Sequence, residues 1–297
     1  MMLPTSAPIS LLALFVSLAL VVEGTAVEPS HRDIEFAKVG EHTLALDLYL
    51  PEAVDHPPLV VWVHGGAWRR GSKASMRIPG LLEHGFAIAS VSHRLSPVAK
   101  FPAQVHDIKA AIRFLRAEEN RKKYGYDAKQ IVIAGASAGG HLAALVGVTN
   151  GTKELEGDVG EHDGESSDVA AIVDFYGPTN FLTILKQSTP HGLGVRIPAL
   201  QLLLGAQPED VTELAKLASP VFHVDREDPP LLMIHGDQDP QVPINQSHEL
   251  EGAYKNAGIG ERSSLLVIHG GLHGGKPFYD EERTKLVAAF IKKSLGL

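Results

Sequence analysis

The chain contains no cysteine, so its 297 residues hold together without disulfide bonds and rely on their core. Long basic runs are also missing. The longest are Arg69-Arg70 and Arg121-Lys122-Lys123, and the formal net charge is -8 at pH 7. A nucleic-acid partner needs a concentrated basic surface, so these features argue against one.

Lysine and arginine are absent from the N-terminal segment, which carries an almost unbroken apolar run over residues 9–22. This run is shorter than the roughly 20 residues that a membrane span needs. It is followed by Glu23-Gly24-Thr25-Ala26, whose small residues resemble a signal-peptidase cleavage site. We predict that residues 1–26 are a cleaved signal peptide and that the mature chain is exported to the periplasm or the exterior, with no stable membrane partner. An uncleaved anchor and a buried N-terminal helix are the alternatives.

Strand-like and helix-like patterns alternate along the rest of the chain. An antiparallel hairpin is predicted over residues 34–50, with later strands at 59–63, 86–91, 131–133, 169–175, 231–234 and 264–268. Helices are predicted at 76–84, 103–119, 243–256 and 280–295, together with one directly after residue 137. This alternation predicts an α/β fold, with a mainly parallel sheet covered on both faces, as a single domain over residues 27–297.

A G-x-S-x-G pentapeptide, Gly135–Gly139, lies between the β-branched run 131–133 and a run of small helix-forming residues. Strand, sharp turn and helix are the setting of a nucleophile elbow, which exposes the serine hydroxyl at the carboxyl end of a strand. Ser137 is therefore the candidate nucleophile.

Consecutive glycines follow another buried strand, in His64-Gly65-Gly66-Ala67-Trp68. Glycines at a strand end let the backbone aim N–H groups at one point, where an oxyanion could bind. We predict that the N–H groups of Gly65, Gly66 and Ala138 form an oxyanion hole. Trp68 is predicted at the pocket wall, against a sugar or phenolic ring, with a packing role as its alternative.

The remaining candidates follow the last two strands. Asp239, in the turn before Val242 and Pro243, is the candidate acid, and Asp237 is interpreted as a turn residue. His273, flanked by glycines, is the candidate base, whereas His269 at the strand end is interpreted as structural.

The order Ser137, Asp239, His273 is that of the α/β-hydrolase superfamily. From about residue 34 onward, the chain resembles its carboxylesterase branch, which includes hormone-sensitive-lipase-like enzymes, and more closely the secreted bile-salt and feruloyl esterase type. The resemblance rests on His64–Gly66, His93–Pro97, Phe101–Gln104, Asp107, Gly135–Gly140, Ala218–Pro220, Gln246-Ser247 and His273-Gly274.

Two positions depart from the pattern of that branch. Ala67 replaces the third glycine of the commoner H-G-G-G motif, and His93 stands where tyrosine is frequent. An alanine with negative φ would preserve the donor geometry, so we expect the oxyanion hole to survive.

Two further segments interrupt the alternation. Residues 150–168, rich in glycine and acid, are interpreted as a solvated loop rather than a metal site, because they lack the Asp/Asn repeat of a calcium loop. Residues 180–217 are predicted to form a small cap over the active site, the alternative being a helix that only pads the sheet.

The resemblance and the residue chemistry together imply an exported serine carboxylesterase for short or aromatic acyl esters, including feruloyl or acetyl esters of polysaccharides. Its reaction would need no metal and no organic cofactor. A serine peptidase of the prolyl-oligopeptidase type and a non-catalytic binding protein are the alternatives. The oligomeric state does not follow from the sequence.

Overall fold

The computed structural model describes residues 27–297, so the predicted signal peptide lies outside the described residues. The strands are β1 (His31–Val39), β2 (His42–Tyr49), β3 (Pro58–Val63), β4 (Ala87–Val91), β5 (Asp127–Ala136), β6 (Ala171–Phe175), β7 (Leu231–Gly236) and β8 (Ser263–Ile268). The helices are α1 (Gly80–Glu83), α2 (Ala103–Arg116), α3 (Glu118–Tyr124), α4 (Ala138–Gly147), α5 (Lys153–Glu156), α6 (Ile184–Gln187), α7 (Pro190–Leu204), α8 (Thr212–Leu217), α9 (Asn245–Asn256) and α10 (Glu281–Leu295).

All eight strands form one sheet in the order β1-β2-β4-β3-β5-β6-β7-β8. The hairpin β1–β2 and the pair β2–β4 are antiparallel, whereas every pair from β4 to β8 is parallel. The predicted α/β fold and its opening hairpin are therefore confirmed. Parallel strands end at the same edge, so the loops that follow β3, β5, β7 and β8 share one side of the molecule.

The central strands are buried on both faces, because helices cover the sheet from two sides. In β3, Leu59, Val61 and Val63 join the core cluster that contains α2, α4 and α9. The alternate residues Val60 and Trp62 join the cluster that contains α1 and α10. This period of two explains why strand segments with nearly continuous apolar residues form the centre of the sheet.

Two predicted helices differ from the observed ones. The helix predicted over residues 103–119 breaks at Ala117, whose ψ of 132° places it outside the helical region between α2 and α3. The helix predicted over residues 76–84 shrinks to α1, since Met76 is extended and Pro79 disfavours a helical Ile78 before it.

The segment 150–168, predicted as a solvated loop, is partly anchored to the core. Leu155 of α5 is fully buried, and Glu156 accepts hydrogen bonds from the buried Lys109 at 2.5 Å and from Arg113. Within residues 27–297, no three histidine or acidic side chains cluster as metal ligands would, and no helix there has the length and apolar character of a membrane span.

Residues 180–217 fold into α6, α7 and α8. Phe181, Ile184, Leu200 and Leu203 are all buried within the core cluster of α2 and α4, so the apolar residues of the predicted cap do pad the sheet. The same segment also reaches the site described next, through Val195 and Arg196 of α7.

Candidate active site

Ser137 occupies the sharp turn between β5 and α4. Its φ of 56° and ψ of -121° lie in a region that residues with side chains rarely adopt. The turn is possible because its neighbours are glycines: a Cβ on Gly135 would lie 2.2 Å from the carbonyl oxygen of Gly139, and one on Gly139 would lie 2.1 Å from that of Val63. The close packing pushes the serine to the edge of the sheet.

Three predicted residues meet at this edge. The Nε2 atom of His273 lies 2.8 Å from Oγ of Ser137, and its Nδ1 lies 2.6 Å from Oδ2 of Asp239. The loops after β7 and β8 bring the acid and the histidine to the serine, although up to 136 positions separate the residues in sequence. The hydrogen-bonded chain is that of a nucleophile, a base and an orienting acid.

The carboxylate of Asp239 is held by its own turn. Its Oδ1 accepts the backbone N–H groups of Gln241 and Val242 at 2.8 and 3.0 Å. Burial alone would raise the pKa of Asp239, but hydrogen bonds from His235 and His273 and from the Val242 N–H outweigh it and hold the pKa well below its usual range. The acid is therefore ionised at neutral pH.

Burial lowers the pKa of His273 below the ordinary value of 6.5. The nearby Asp239 opposes this shift, whereas the positive charge of Arg196 adds to it. His273 is therefore neutral at pH 7, the state in which Nε2 can accept a proton from Ser137.

His235 also contacts Asp239, and the sequence patterns did not identify it as a site residue. Its Nε2 lies 3.5 Å from Oδ2 of Asp239 and 2.9 Å from the carbonyl oxygen of Val242, while its Nδ1 lies 2.7 Å from Oγ of Ser247. A tautomer with the proton on Nε2 satisfies all three contacts, with the Ser247 hydroxyl donating to Nδ1.

The predicted oxyanion donors surround the serine. Gly65 and Gly66 line the same cavity as Ser137, and in the described part of the chain their N–H groups have no protein acceptor. Ala138 begins α4, so its N–H has no acceptor within the helix. A Cβ on Gly65 would lie 2.7 Å from the carbonyl oxygen of Ala136. The glycine therefore allows this loop to approach the elbow.

The negative φ that was the condition for Ala67 to preserve the donor geometry is not observed. Its φ is 53°, in the left-handed region, and that of Trp68 is 59°. A side chain in this region costs about 1 to 2 kcal/mol, which explains why glycine is common at the third position. The Ala67 backbone nevertheless lines the cavity with Gly65 and Gly66.

The pocket-wall position predicted for Trp68 is corrected by the structure. Its side chain is buried, with the residue 1% exposed, and it does not line the cavity. The left-handed turn directs the indole into the core, where it packs edge-on against His141 and Phe181. It therefore has the packing role that was its alternative.

His93, at the frequent tyrosine position, stacks on His64 with ring centroids 4.6 Å apart. Burial and the charge of His64 lower the pKa of His93 to about 3, so the ring is neutral. The stacked pair packs at the start of the oxyanion loop, which we define as His64–Trp68. There, Nδ1 of His64 lies 2.8 Å from the carbonyl oxygen of Gly65.

Asp237 and His269 form a separate pair at the surface. The carboxylate of Asp237 accepts the Gly270 N–H at 2.7 Å and lies 3.0 Å from Nδ1 of His269. Asp237 thus links the turn that follows β7 with the turn that follows β8. Neither side chain lines the cavity at Ser137.

The cavity in front of Ser137 has a volume of about 400 Å³. Tyr176, which the sequence patterns did not identify, lines this cavity. Its ring lies edge-on to that of His273, with the ring centroids 4.8 Å apart. The position of Tyr176 directly after β6 was a usable signal, since sites of such sheets form at the carboxyl ends of strands. The remaining lining residues are Arg69, Arg70, Gly71, Ser75, Arg77, Ala136, Val195, Arg196, Gln241 and Gly275.

Comparison with known proteins identifies related chains. Residues 46–254 match the family model BD-FAE. A truncated carbohydrate esterase from gut microbiota has 35% sequence identity and a TM-score of 0.80, with 89% of this chain and 95% of that chain covered. An acetyl ester-xyloside bifunctional hydrolase from Caldicellulosiruptor lactoaceticus has 25% identity and a TM-score of 0.72, with 92% and 99% covered.

Among curated proteins, esterase LipQ of Mycobacterium tuberculosis is 33% identical over 246 residues, which cover 81% of this chain and 55% of LipQ. An isoprenylcysteine alpha-carbonyl methylesterase of Arabidopsis thaliana is 30% identical over 233 residues, covering 77% and 53%. The chain thus spans about half the length of these curated relatives.

Proposed function

Since the chain belongs to the BD-FAE family, we propose that it is a serine carboxylesterase that acts through Ser137, His273 and Asp239. The observation that carries the proposal is the unbroken hydrogen-bonded chain from Asp239 through His273 to Ser137. These hydrogen bonds lead to Ser137, which lines the cavity together with Gly65 and Gly66 of the oxyanion loop. The names of the relatives, all ester hydrolases, support the same class of reaction.

In the first half of the reaction, His273 takes the proton of Ser137 as its Oγ attacks the ester carbonyl. Asp239 holds the imidazole with Nδ1–H directed at the carboxylate and stabilises the imidazolium that forms. The carbonyl oxygen becomes an oxyanion, which the N–H groups of Gly65, Gly66 and Ala138 bind. Each such donor lowers the barrier by about 2.7 to 4 kcal/mol.

The protonated His273 then gives its proton to the leaving alcohol, and the acyl group stays on Ser137. A water molecule then attacks this acyl-enzyme as His273 takes its proton. The bond between the acyl carbon and Oγ of Ser137 breaks, His273 returns the proton to Oγ, and the carboxylic acid is released.

The substrates we propose are short or aromatic acyl esters, including acetyl or feruloyl groups on polysaccharides, hydrolysed outside the cytoplasm after removal of residues 1–26. The carbohydrate esterase and the acetyl ester-xyloside hydrolase among the related structures support a carbohydrate substrate. A cavity of about 400 Å³ has room for an acyl group together with part of a sugar.

The test uses residues 27–297 with a series of nitrophenyl esters from acetyl to octanoyl and a feruloyl ester. We expect turnover by the wild type and a loss of about 10⁶-fold in kcat for Ser137→Ala, as in other enzymes of this mechanism. Ser264→Ala, at an exposed position of β8, is the matched control and should keep full activity.

A fluorophosphonate probe gives a second readout, because Oγ of an activated serine displaces fluoride and keeps the phosphonyl group. Mass spectrometry should find this group on the peptide that contains Ser137. A folded Ser137→Ala protein with wild-type activity, or labelling at another serine, would refute the proposal.

A further inference from the structure

Among residues 27–297, the cavity in front of Ser137 is lined by four arginines, Arg69, Arg70, Arg77 and Arg196, and by no aspartate or glutamate. The whole chain has a net charge of -8, so this concentration of positive charge is local. Cations that face a low-dielectric cleft raise the concentration of anions inside it.

Of the four arginines, Arg196 is buried, Arg69 is partly buried, and Arg70 and Arg77 are exposed. Lys73, Arg94 and Lys109 each form an ion pair, with Asp47, Asp107 and Glu156 respectively. Within residues 27–297, none of the four cavity arginines has a carboxylate within 4.0 Å. Among the lysines and arginines that are buried within residues 27–297, Lys109 and Arg113 pair with Glu156, whereas Arg196 has no ion pair.

Arg196 is the most informative of the four. Its residue is 1% exposed, yet Nε and Nη1 have no hydrogen-bond partner in the described part of the chain. The Trp68 ring lies 5.8 Å from its Cζ. A buried guanidinium without an anion is costly, so a site that keeps one is suited to an anionic ligand.

The positions of the arginines suit a single anionic group. Arg69 and Arg70 follow the oxyanion loop, while Arg196 comes from α7 on another side of the cavity. Arg196 is close enough for its charge to interact with those of Asp239 and Arg69, and Asp239 is already engaged by His273. Two guanidinium groups can hold one carboxylate through several charge-assisted hydrogen bonds.

We propose that this site selects esters that carry a carboxylate, which Arg196 binds together with Arg69 while Ser137 attacks the ester. This inference rests on the proposed esterase function and narrows its substrate class. The carboxylate can belong to the acyl part, as in a dicarboxylic acid monoester, or to the alcohol part, as in an acylated uronic acid.

The test compares pairs of esters that differ only in charge. In the acyl arm, mono-4-nitrophenyl adipate is compared with the matching adipamate, whose terminal amide is neutral. In the alcohol arm, an O-acetylated methyl glycoside of a uronic acid is compared with its uronamide. For each pair the ratio of the charged to the neutral kcat/KM is measured with wild type, Arg196→Gln and Arg69→Gln.

We expect the wild type to prefer the charged member of one pair by about tenfold or more, the value of a charged hydrogen bond. The arm that shows this preference identifies the part of the substrate that carries the carboxylate. In Arg196→Gln the ratio should fall close to one. The exposed Arg226, outside the cavity, provides the control Arg226→Gln, which should keep the wild-type ratio.

Two results would overturn the inference: a wild-type ratio near one in both arms, or an equal loss on both members of each pair in the arginine variants. Arg69 is only partly buried, so Arg69→Gln tests the proposal even if Arg196→Gln fails to fold. Turnover of the neutral esters tests the esterase function separately, since it does not depend on either arginine's charge preference.

Discussion

The indole N–H of Trp68 donates a hydrogen bond to Nδ1 of His141 across 3.1 Å. Nε2 of His141 in turn lies 2.7 Å from the carbonyl oxygen of Ala218. Burial lowers the pKa of His141 to about 4, so the ring is neutral, with its proton on Nε2. These bonds join the oxyanion loop, the first turns of α4 and the segment that follows α8.

The first prediction concerns this link. Trp68→Phe leaves Nδ1 of buried His141 without a donor, which should lower the free energy of unfolding by about 1 to 3 kcal/mol. Because Trp68 does not line the cavity, the ratio of feruloyl to acetyl ester turnover should not change, even if the shifted loop lowers both rates.

Trp62→Phe is the matched control, since the Trp62 indole is also buried and donates to the carbonyl oxygen of Ser75 at 3.1 Å. Urea titration and initial rates measure both variants. A selective loss of feruloyl turnover in Trp68→Phe would restore the pocket-wall hypothesis.

The second prediction separates the two acidic candidates. Asp239→Asn should lower kcat about 10⁴-fold, because the amide no longer favours the imidazole tautomer with its proton on Nδ1. Asp237→Asn, two positions away at the surface, should stay within a fewfold of wild type. Similar losses in both variants would remove Asp239 from the mechanism.

The third prediction concerns pH. Activity requires neutral His273, whose pKa is lowered by burial, so the acid limb of kcat/KM should have its midpoint below 6.5. Asp239 acts in the opposite direction, whereas Arg196 lowers the pKa further. Arg196→Gln removes this charge, so its acid limb should move to higher pH.

Rates with a neutral ester between about pH 4.5 and 8 measure this shift, with the ester kept neutral so that substrate charge plays no part. Arg226→Gln, which removes an equal charge outside the cavity, should leave the limb in place. An acid limb that moves to lower pH in Arg196→Gln would contradict the electrostatic account of His273.

The fourth prediction concerns the stability contribution of Asp174. Burial raises its pKa to about 6, and the hydrogen bond from the Gly177 N–H opposes this shift only in part. Its Oδ2 has no partner among the described residues, whereas Oδ1 accepts the Gly177 N–H at 2.8 Å. The folded state therefore binds the Asp174 proton more tightly than the unfolded state does.

The stabilisation from this proton is complete below the unfolded pKa of 3.8 and is lost as the pH rises through about 6. Asp174→Asn lacks the titration and keeps an acceptor for Gly177. Relative to Asp174→Asn, the wild type should lose about 1 to 2 kcal/mol of unfolding free energy between pH 4.5 and 7.5. Urea titrations at the two pH values measure it, and a difference independent of pH would disprove the assignment.

Local sequence explains the success of the strand predictions. The apolar runs at 59–63 and 231–234 match β3 and β7 closely, because buried parallel strands need continuous apolar residues. The helix predictions near residues 76 and 117 were wrong at their boundaries. There, the tertiary position of Ala117 and the proline at 79 override helical patterning.

The candidate triad could be selected from sequence because each residue lies in a short turn with glycine or proline, directly after a buried strand. His235 and Arg196 could not be selected in this way. His235 belongs to the site because it contacts Asp239, and Arg196 belongs to it because it lines the cavity at Ser137. Both contacts depend on the tertiary structure.

By itself, the sequence determined the α/β class, the succession of the predicted strands along the chain and the segments that carry the candidate nucleophile, acid and base. Periodicity and turn residues act over a few positions, so they can be read locally. Only the tertiary structure decided that Trp68 packs inward and that four arginines, without ion pairs in residues 27–297, line the cavity at Ser137. Those outcomes depend on a left-handed turn and on contacts between segments more than 50 residues apart, for which a linear pattern carries no signal.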